Sequence, residues 1–253
     1  IIKDHKGTVY SLDQYKDNSK YLFSSSDDAS INVYILDMNY KHKLIQTLKK
    51  SKEKHGGEIN KVITLSNKLL VSSDHRSITI WKSNSFDENK INYEDNFEII
   101  VNNDTCHLLE VNPSVFVATQ YQPQLFQVYK NDGKCFPLLS ELKNTFTHGY
   151  SSNALAKIND NLVCSGAKSL FYLISIEPLQ VIQKIIFEND YFTLYFIHIT
   201  KDNYLYHNID YGISQFKIIN DEDNNFHELN LIGNFCQKNY FNNDIITERI
   251  VLI

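Results

Sequence analysis

Arginine is nearly missing from this chain: of 25 basic residues only Arg76 and Arg249 are arginine. Readers of phosphorylated peptides or phosphoinositides favour Arg, whose planar fork grips two phosphate oxygens at once. Two isolated arginines cannot make such a cluster. The net charge of −5 argues against nucleic acid as a ligand, because phosphate binding needs a basic footprint. Cysteine is sparse and scattered: Cys106, Cys135, Cys164 and Cys236 form no CxxC pair. That argues against a zinc ribbon or a disulfide framework and leaves them as small buried fillers. No apolar run approaches the ~18–20 residues that cross a bilayer, and no signal-peptide pattern is present. No membrane insertion and an intracellular, cytoplasmic location are therefore expected. The nine histidines contain no HxxxH or HExxH pair, and neither a glycine-rich phosphate loop nor a GxSxG elbow occurs. No metal, no cofactor and no catalytic residue is expected.

What the chain does have is apolar surface and repetition. Its 253 residues are 42% hydrophobic and 13% aromatic, enough for a sizeable core and too apolar for disorder. Five segments share one phrase: Leu22 to Tyr34, Leu69 to Trp81, Val117 to Tyr129, Leu162 to Ile174 and Tyr204 to Phe216. Their last residues lie 47, 48, 45 and 42 positions apart, near the ~40–45 residue period of a four-stranded propeller blade. Each phrase reads as two strands about a tight turn, with β-branched and apolar residues on either side of a small polar cluster. The second is the clearest, with Val71-Ser72-Ser73, then Asp74-His75-Arg76, then Ile78 to Trp81. The pattern predicts an all-β, single-domain protein.

These residues resemble the WD40-repeat family. Its blades open on a His or Gly-His, carry Ser or Thr in the second strand, place an Asp in the turn and end on a Trp six residues later. His5-Lys6-Gly7, His55-Gly56-Gly57 and His148-Gly149 supply the opening; Asp28 and Asp210 stand six residues before Tyr34 and Phe216; Trp81 is the one expected Trp. The resemblance implies a structural hydrogen-bond network drawn from His5, Ser24, Ser26, Asp28, Tyr34, His55, Trp81, His148 and Asp210. The turn Asp is replaced by His75 in the second blade, with Asp74 one residue early, by Pro123 in the third and by Lys168 in the fourth. The network is therefore expected complete in the first blade alone, with Tyr34 in the Trp position, and the others are expected to rely on aromatic and aliphatic packing. Ser24, Ser25 and Ser26 beside Asp27, Asp28 and His5 mimic a nucleophile set, but the same residues fill that structural network.

The implied fold is a WD40-type β-propeller of about five complete four-stranded blades over residues 3–48, 55–101, 103–142, 148–187 and 191–232. A partial sixth covers 235–253, with strands at Phe235 to Phe241 and Ile245 to Ile253. That count predicts a fragment of a six- or seven-bladed ring within a longer chain. Outer strands are expected at Ile1-Ile2, Leu44 to Leu48, Phe97 to Val101, Phe136 to Leu142, Val181 to Phe187 and Phe226 to Ile232. Polar loops at Asp37 to His42, Ser83 to Asn96 and Ile219 to Asn225 would cluster on one face, as solvated loops or as an acidic patch for a basic partner. The lysines between Lys41 and Lys54 read as charge protecting an edge strand.

For function, the resemblance implies a noncatalytic scaffold or adaptor that binds other proteins within a multiprotein assembly, on the face where each first strand begins. Carried over by position, the contact residues are Thr8, Tyr10 and Asp27; Glu58, Asn60 and Asp74; Thr105 and His107; and Ser151 and Asn153. Tyr10 is the expected anchor, because aromatics dominate interface hot spots. The alternative is a propeller enzyme or small-ligand binder in which Asp27, Glu58 and Asp74 converge at the channel mouth.

Overall fold

The computed structural model describes residues 4–15, 20–39, 41–49, 57–87, 90–101, 105–120, 125–143, 154–167, 170–187, 197–200, 202, 204–209, 212–221, 226–236 and 250–252. Every regular element among them is a strand, so no described helix is long and apolar enough to cross a membrane. Five antiparallel sheets follow one another along the chain, one per repeat. The first is β1 (Val9–Gln14), β2 (Tyr21–Ser26), β3 (Ser30–Leu36) and β4 (His42–Lys49). The second is β5 (Lys61–Thr64), β6 (Leu70–Ser73), β7 (Ser77–Asp87) and β8 (Lys90–Ile100). The third is β9 (Thr105–Asn112), β10 (Val115–Gln120), β11 (Leu125–Lys130) and β12 (Leu138–Lys143). The fourth is β13 (Ala154–Asn159), β14 (Leu162–Ala167), β15 (Leu170–Ser175) and β16 (Gln180–Phe187), and the fifth is β17 (Ile197–Ile199), β18 (Tyr204–Ile209), β19 (Gly212–Asp221) and β20 (Phe226–Cys236).

Alternation along the strands explains how the sheets are arranged. Ile80 and Trp81 are neighbours in β7 and point to opposite faces. Trp81 packs with Phe23, Val33 and Tyr93 between the first and second sheets, while Ile80 packs with Phe116, Tyr129 and Phe136 between the second and third. The same split recurs at Val128 and Tyr129 in β11, and at Leu173 and Ile174 in β15. A sheet that is apolar on both faces must be covered on both, which is why all six residues of β10 are buried. The solution is face-to-face stacking in chain order, with β1, β5, β9, β13 and β17 side by side on the inside. This is a β-propeller-type fold.

A second repeat lies in the strand pairing. In every sheet the ladder between the third and fourth strands slips by one residue, between Val33 and Tyr34, Ile80 and Trp81, Val128 and Tyr129, Leu173 and Ile174, and Gln215 and Phe216. The extra residue is on the outer strand, at Ile45, Asn96, Leu139, Ile182 and Ile232. A bulge increases local twist, and each one stands at the aromatic or aliphatic residue that ends the sequence phrase.

Four expectations need correction. Ser83 to Asn96 is no polar loop: β7 and β8 run on as a hairpin to the pair Asp87 and Lys90. Ile91 and Tyr93 bury themselves against the first sheet, and that burial extends the strands through polar sequence. The Gln46 side chain clasps this hairpin as a stand-in peptide group, donating from Nε2 to the Tyr93 carbonyl at 2.8 Å and accepting the Tyr93 amide at 2.9 Å. Ile219 to Asn225 likewise begins as strand, with Asp221 opposite Phe226. Phe235 does not open a sixth blade, because Phe235 and Cys236 complete β20, paired with Ile213 and Gly212. Ile250–Leu252 (β21) instead adds antiparallel to the outer edge of β16, where a bare strand edge accepts a partner. Cys164 is fully buried, while Cys135 is only half-buried, in a turn capped by Asp132. Ile1-Ile2 lies outside the described residues.

Candidate functional site

The face on which the first strands begin is built from two matching corners. In the first sheet, the Asp27 amide donates to the Thr8 carbonyl at 3.1 Å, which lays the Asp27 carboxylate directly over Gly7. A Cβ on Gly7 would collide with that carboxylate. In the second sheet His75 lies over Gly57, its Cδ2 3.4 Å from where a Cβ would stand. The corners are joined through the Ile59 amide, which donates to the Ser26 carbonyl at 3.0 Å.

Between the corners, the exposed Tyr10 donates from its hydroxyl to Glu58 Oε2 at 3.1 Å, and His75 Nε2 stands 3.6 Å from the same oxygen. The hydrogen bond to Glu58, slight desolvation and the charges of Glu58 and Asp27 all push the Tyr10 phenol above its usual range. It therefore remains a neutral donor at physiological pH. The result is an exposed aromatic ring braced across a blade junction between two carboxylates and an imidazole.

The remaining contact candidates are placed differently. Thr8 is exposed and Asn60 half-buried, its amide held by the Ser73 carbonyl at 2.9 Å. Asp74 is a correction. It is buried, 1% exposed, and its Oδ1 accepts the Arg76 and Ser77 amides at 2.8 Å each. It caps its own turn, so Asp27, Glu58 and Asp74 do not converge. The surface position is taken by His75, which sequence reasoning passed over because the second turn is shorter. Ser25 opposite Ile31 encloses residues 26–30, whereas Ser73 opposite Ile78 encloses only 74–77. His107 lies half-buried on inner strand β9, where burial and then the charge of Lys61 lower its pKa to about 4. Thr105 pairs through its backbone with Gln120. Ser151 and Asn153 lie outside the described residues.

The hydrogen-bond network of the first blade is connected throughout. His5 Nε2 meets Ser24 Oγ at 2.6 Å and its Nδ1 meets Asp28 Oδ2 at 3.1 Å. Asp28 also accepts the Lys6 amide at 2.8 Å and the Ser30 hydroxyl at 2.5 Å, while Ser26 Oγ accepts the Asp28 amide at 3.2 Å. Burial opposes ionisation of Asp28, but the bonds from Ser30, Lys6 and His5 outweigh it and bring the carboxyl down to about 2. Tyr34 is fully buried and bonded by Asn32 and Ser24. In the second blade Trp81 Nε1 donates to Ser72 Oγ at 2.8 Å; His55, like His148 and Asp210, lies outside the described residues. The third blade is not held by packing alone. Gln127 Oε1 accepts from Gln120 Nε2 at 2.6 Å and from the Tyr129 hydroxyl at 2.9 Å, a polar set that a search for His, Ser and Asp does not detect. Among the described residues no three His, Cys, Asp or Glu side chains gather as a metal requires.

No protein-family model matches the sequence, and no curated protein matches it. Solved structures do. One, a crystal structure of a protein from Lactobacillus plantarum, superimposes with a TM-score of 0.69 at 12% identity, covering 86% of this chain and 68% of that one. At that identity the likeness concerns the fold.

Proposed function

We propose that this protein is a noncatalytic interaction platform, a divergent WD40-type propeller that docks a partner protein within a cytoplasmic multiprotein assembly. The observation that carries the reading is the braced, exposed Tyr10 beside Glu58 and Asp27. A preformed aromatic anchor loses little conformational freedom on binding, and its acidic flank favours a partner presenting Lys or Arg. The continuous His5, Ser24 and Asp28 network, with Tyr34 in place of Trp, supports the WD40 kinship.

The test is affinity capture with the wild-type chain, Tyr10→Ala, Glu58→Lys and, as a control on the opposite face, Met38→Ala at a 95% exposed site. Loss of the same partner from the first two variants and not from the third is the expected result. Retention of every partner by Tyr10→Ala would remove Tyr10 as the anchor.

A further inference from the structure

We infer that the outer edge of β8 binds an extended aliphatic segment of a partner protein by antiparallel strand addition, at a site separate from the Tyr10 face. The repeat itself singles this edge out. In the first four sheets the fourth residue beyond the outer-strand bulge is Lys49 in β4, Ile100 in β8, Lys143 in β12 and Ile186 in β16. A lysine on an edge strand discourages pairing with another chain, and both lysines are exposed. The two strands with isoleucine lack that guard, and they match over two residues, Ile99-Ile100 in β8 and Ile185-Ile186 in β16. On β16 an extended segment occupies this register, with Val251 of β21 opposite Ile186 and Leu252 opposite Ile185. On β8 no described strand does, and Ile100 is 68% exposed.

The edge also sets what fits it. The Val101 amide donates inward, to the Arg76 carbonyl at 2.8 Å. Backbone groups alternate in direction along a strand, so the Ile100 amide and carbonyl point outward, where an added strand pairs with both. In strand addition main-chain bonds give affinity and side chains give selectivity. Here apolar surface lies on both faces: Phe97, 37% exposed, shares its face with Ile99, and Ile100 stands on the other. Across the gap Leu138 of β12, 46% exposed, lines the same cavity of about 570 Å³ as Phe97 and Ile99. An incoming strand thus meets apolar neighbours on both of its faces, which favours consecutive aliphatic residues over an apolar-polar alternation. Ile250-Val251-Leu252, the segment seated on β16, is such a run.

The test is amide hydrogen exchange of the 15N-labelled chain with and without acetyl-Thr-Glu-Arg-Ile-Val-Leu-Ile-amide, the sequence of residues 247–253. Exchange at the Ile100 amide should slow at least ~10-fold at millimolar peptide. The same peptide N-methylated at valine, which removes a ladder donor, should lose the effect. Ile100→Lys, which installs the residue found in β4 and β12, should abolish the protection at this position, and Tyr10→Ala should leave it intact. Unchanged exchange at Ile100, slowing at Ile186 alone, or equal protection in Ile100→Lys would overturn the site without touching the Tyr10 reading. Slowing at Ile100 with rising protein concentration and no peptide would assign the edge to a second copy of the chain, and would overturn it equally.

Discussion

At the residue scale, Asp28 ties the turn between β2 and β3 to the segment before β1, more than twenty residues away. Folding lowers its pKa from 3.8 to about 2, so on acidification the unfolded chain takes up this proton first. The stability it contributes is present above pH ~4 and is lost as pH falls toward ~2. Asp28→Asn should cost about 1–3 kcal/mol in urea unfolding at neutral pH, and its stability should fall less steeply than wild type below pH ~4. The glycines give a paired contrast. Gly7→Ala drives a methyl into the Asp27 carboxylate, whose side chain must swing aside, and should cost up to ~1 kcal/mol, removed by Asp27→Ala in a double-mutant cycle. Gly57→Ala meets His75 at ordinary contact distance and should stay within ~0.5 kcal/mol on the same measurement. His5, Ser24 and Asp28 were legible in the sequence because the first turn has the length the repeat expects. Asp74 and His75 were not, because counting back from Trp81 across a shorter turn lands one residue off.

At the element scale, the strand phrases were readable wherever apolar alternation ends on an aromatic. The outer strands were readable only in outline. A bulge reverses the facing of every residue beyond it, so the two sides of Ile45 or Ile182 follow different phases and no single alternation describes the strand. The β7–β8 extension was hidden for another reason, since Ile91 and Tyr93 are isolated apolar residues in a polar run and become strand by packing on the first sheet. Gln46→Leu should leave both backbone groups of Tyr93 without the clasp, costing about 1–3 kcal/mol. The measurement is hydrogen exchange, which should accelerate at Tyr93 and remain unchanged in β15.

At the scale of the whole molecule, the first three junctions between sheets are each tied by different polar chemistry. Thr64 Oγ1 donates to Asp13 at 2.8 Å between the first and second sheets, Ser66 Oγ to Glu110 at 3.0 Å between the second and third, and Lys130 pairs with Glu177 at 2.9 Å between the third and fourth. The repeat period revealed the sheets but not these ties, which come from dissimilar residues at dissimilar positions. A stack whose units touch only their neighbours loses stability junction by junction. Trp81, the chain's one tryptophan, is buried at the clasped junction of the first two sheets. Its fluorescence is thus a local optical probe built into that clasped seam, whereas circular dichroism averages over all five sheets. In a urea titration the tryptophan emission should change at higher denaturant than the ellipticity, and superimposable curves would mean that the blades melt as one body.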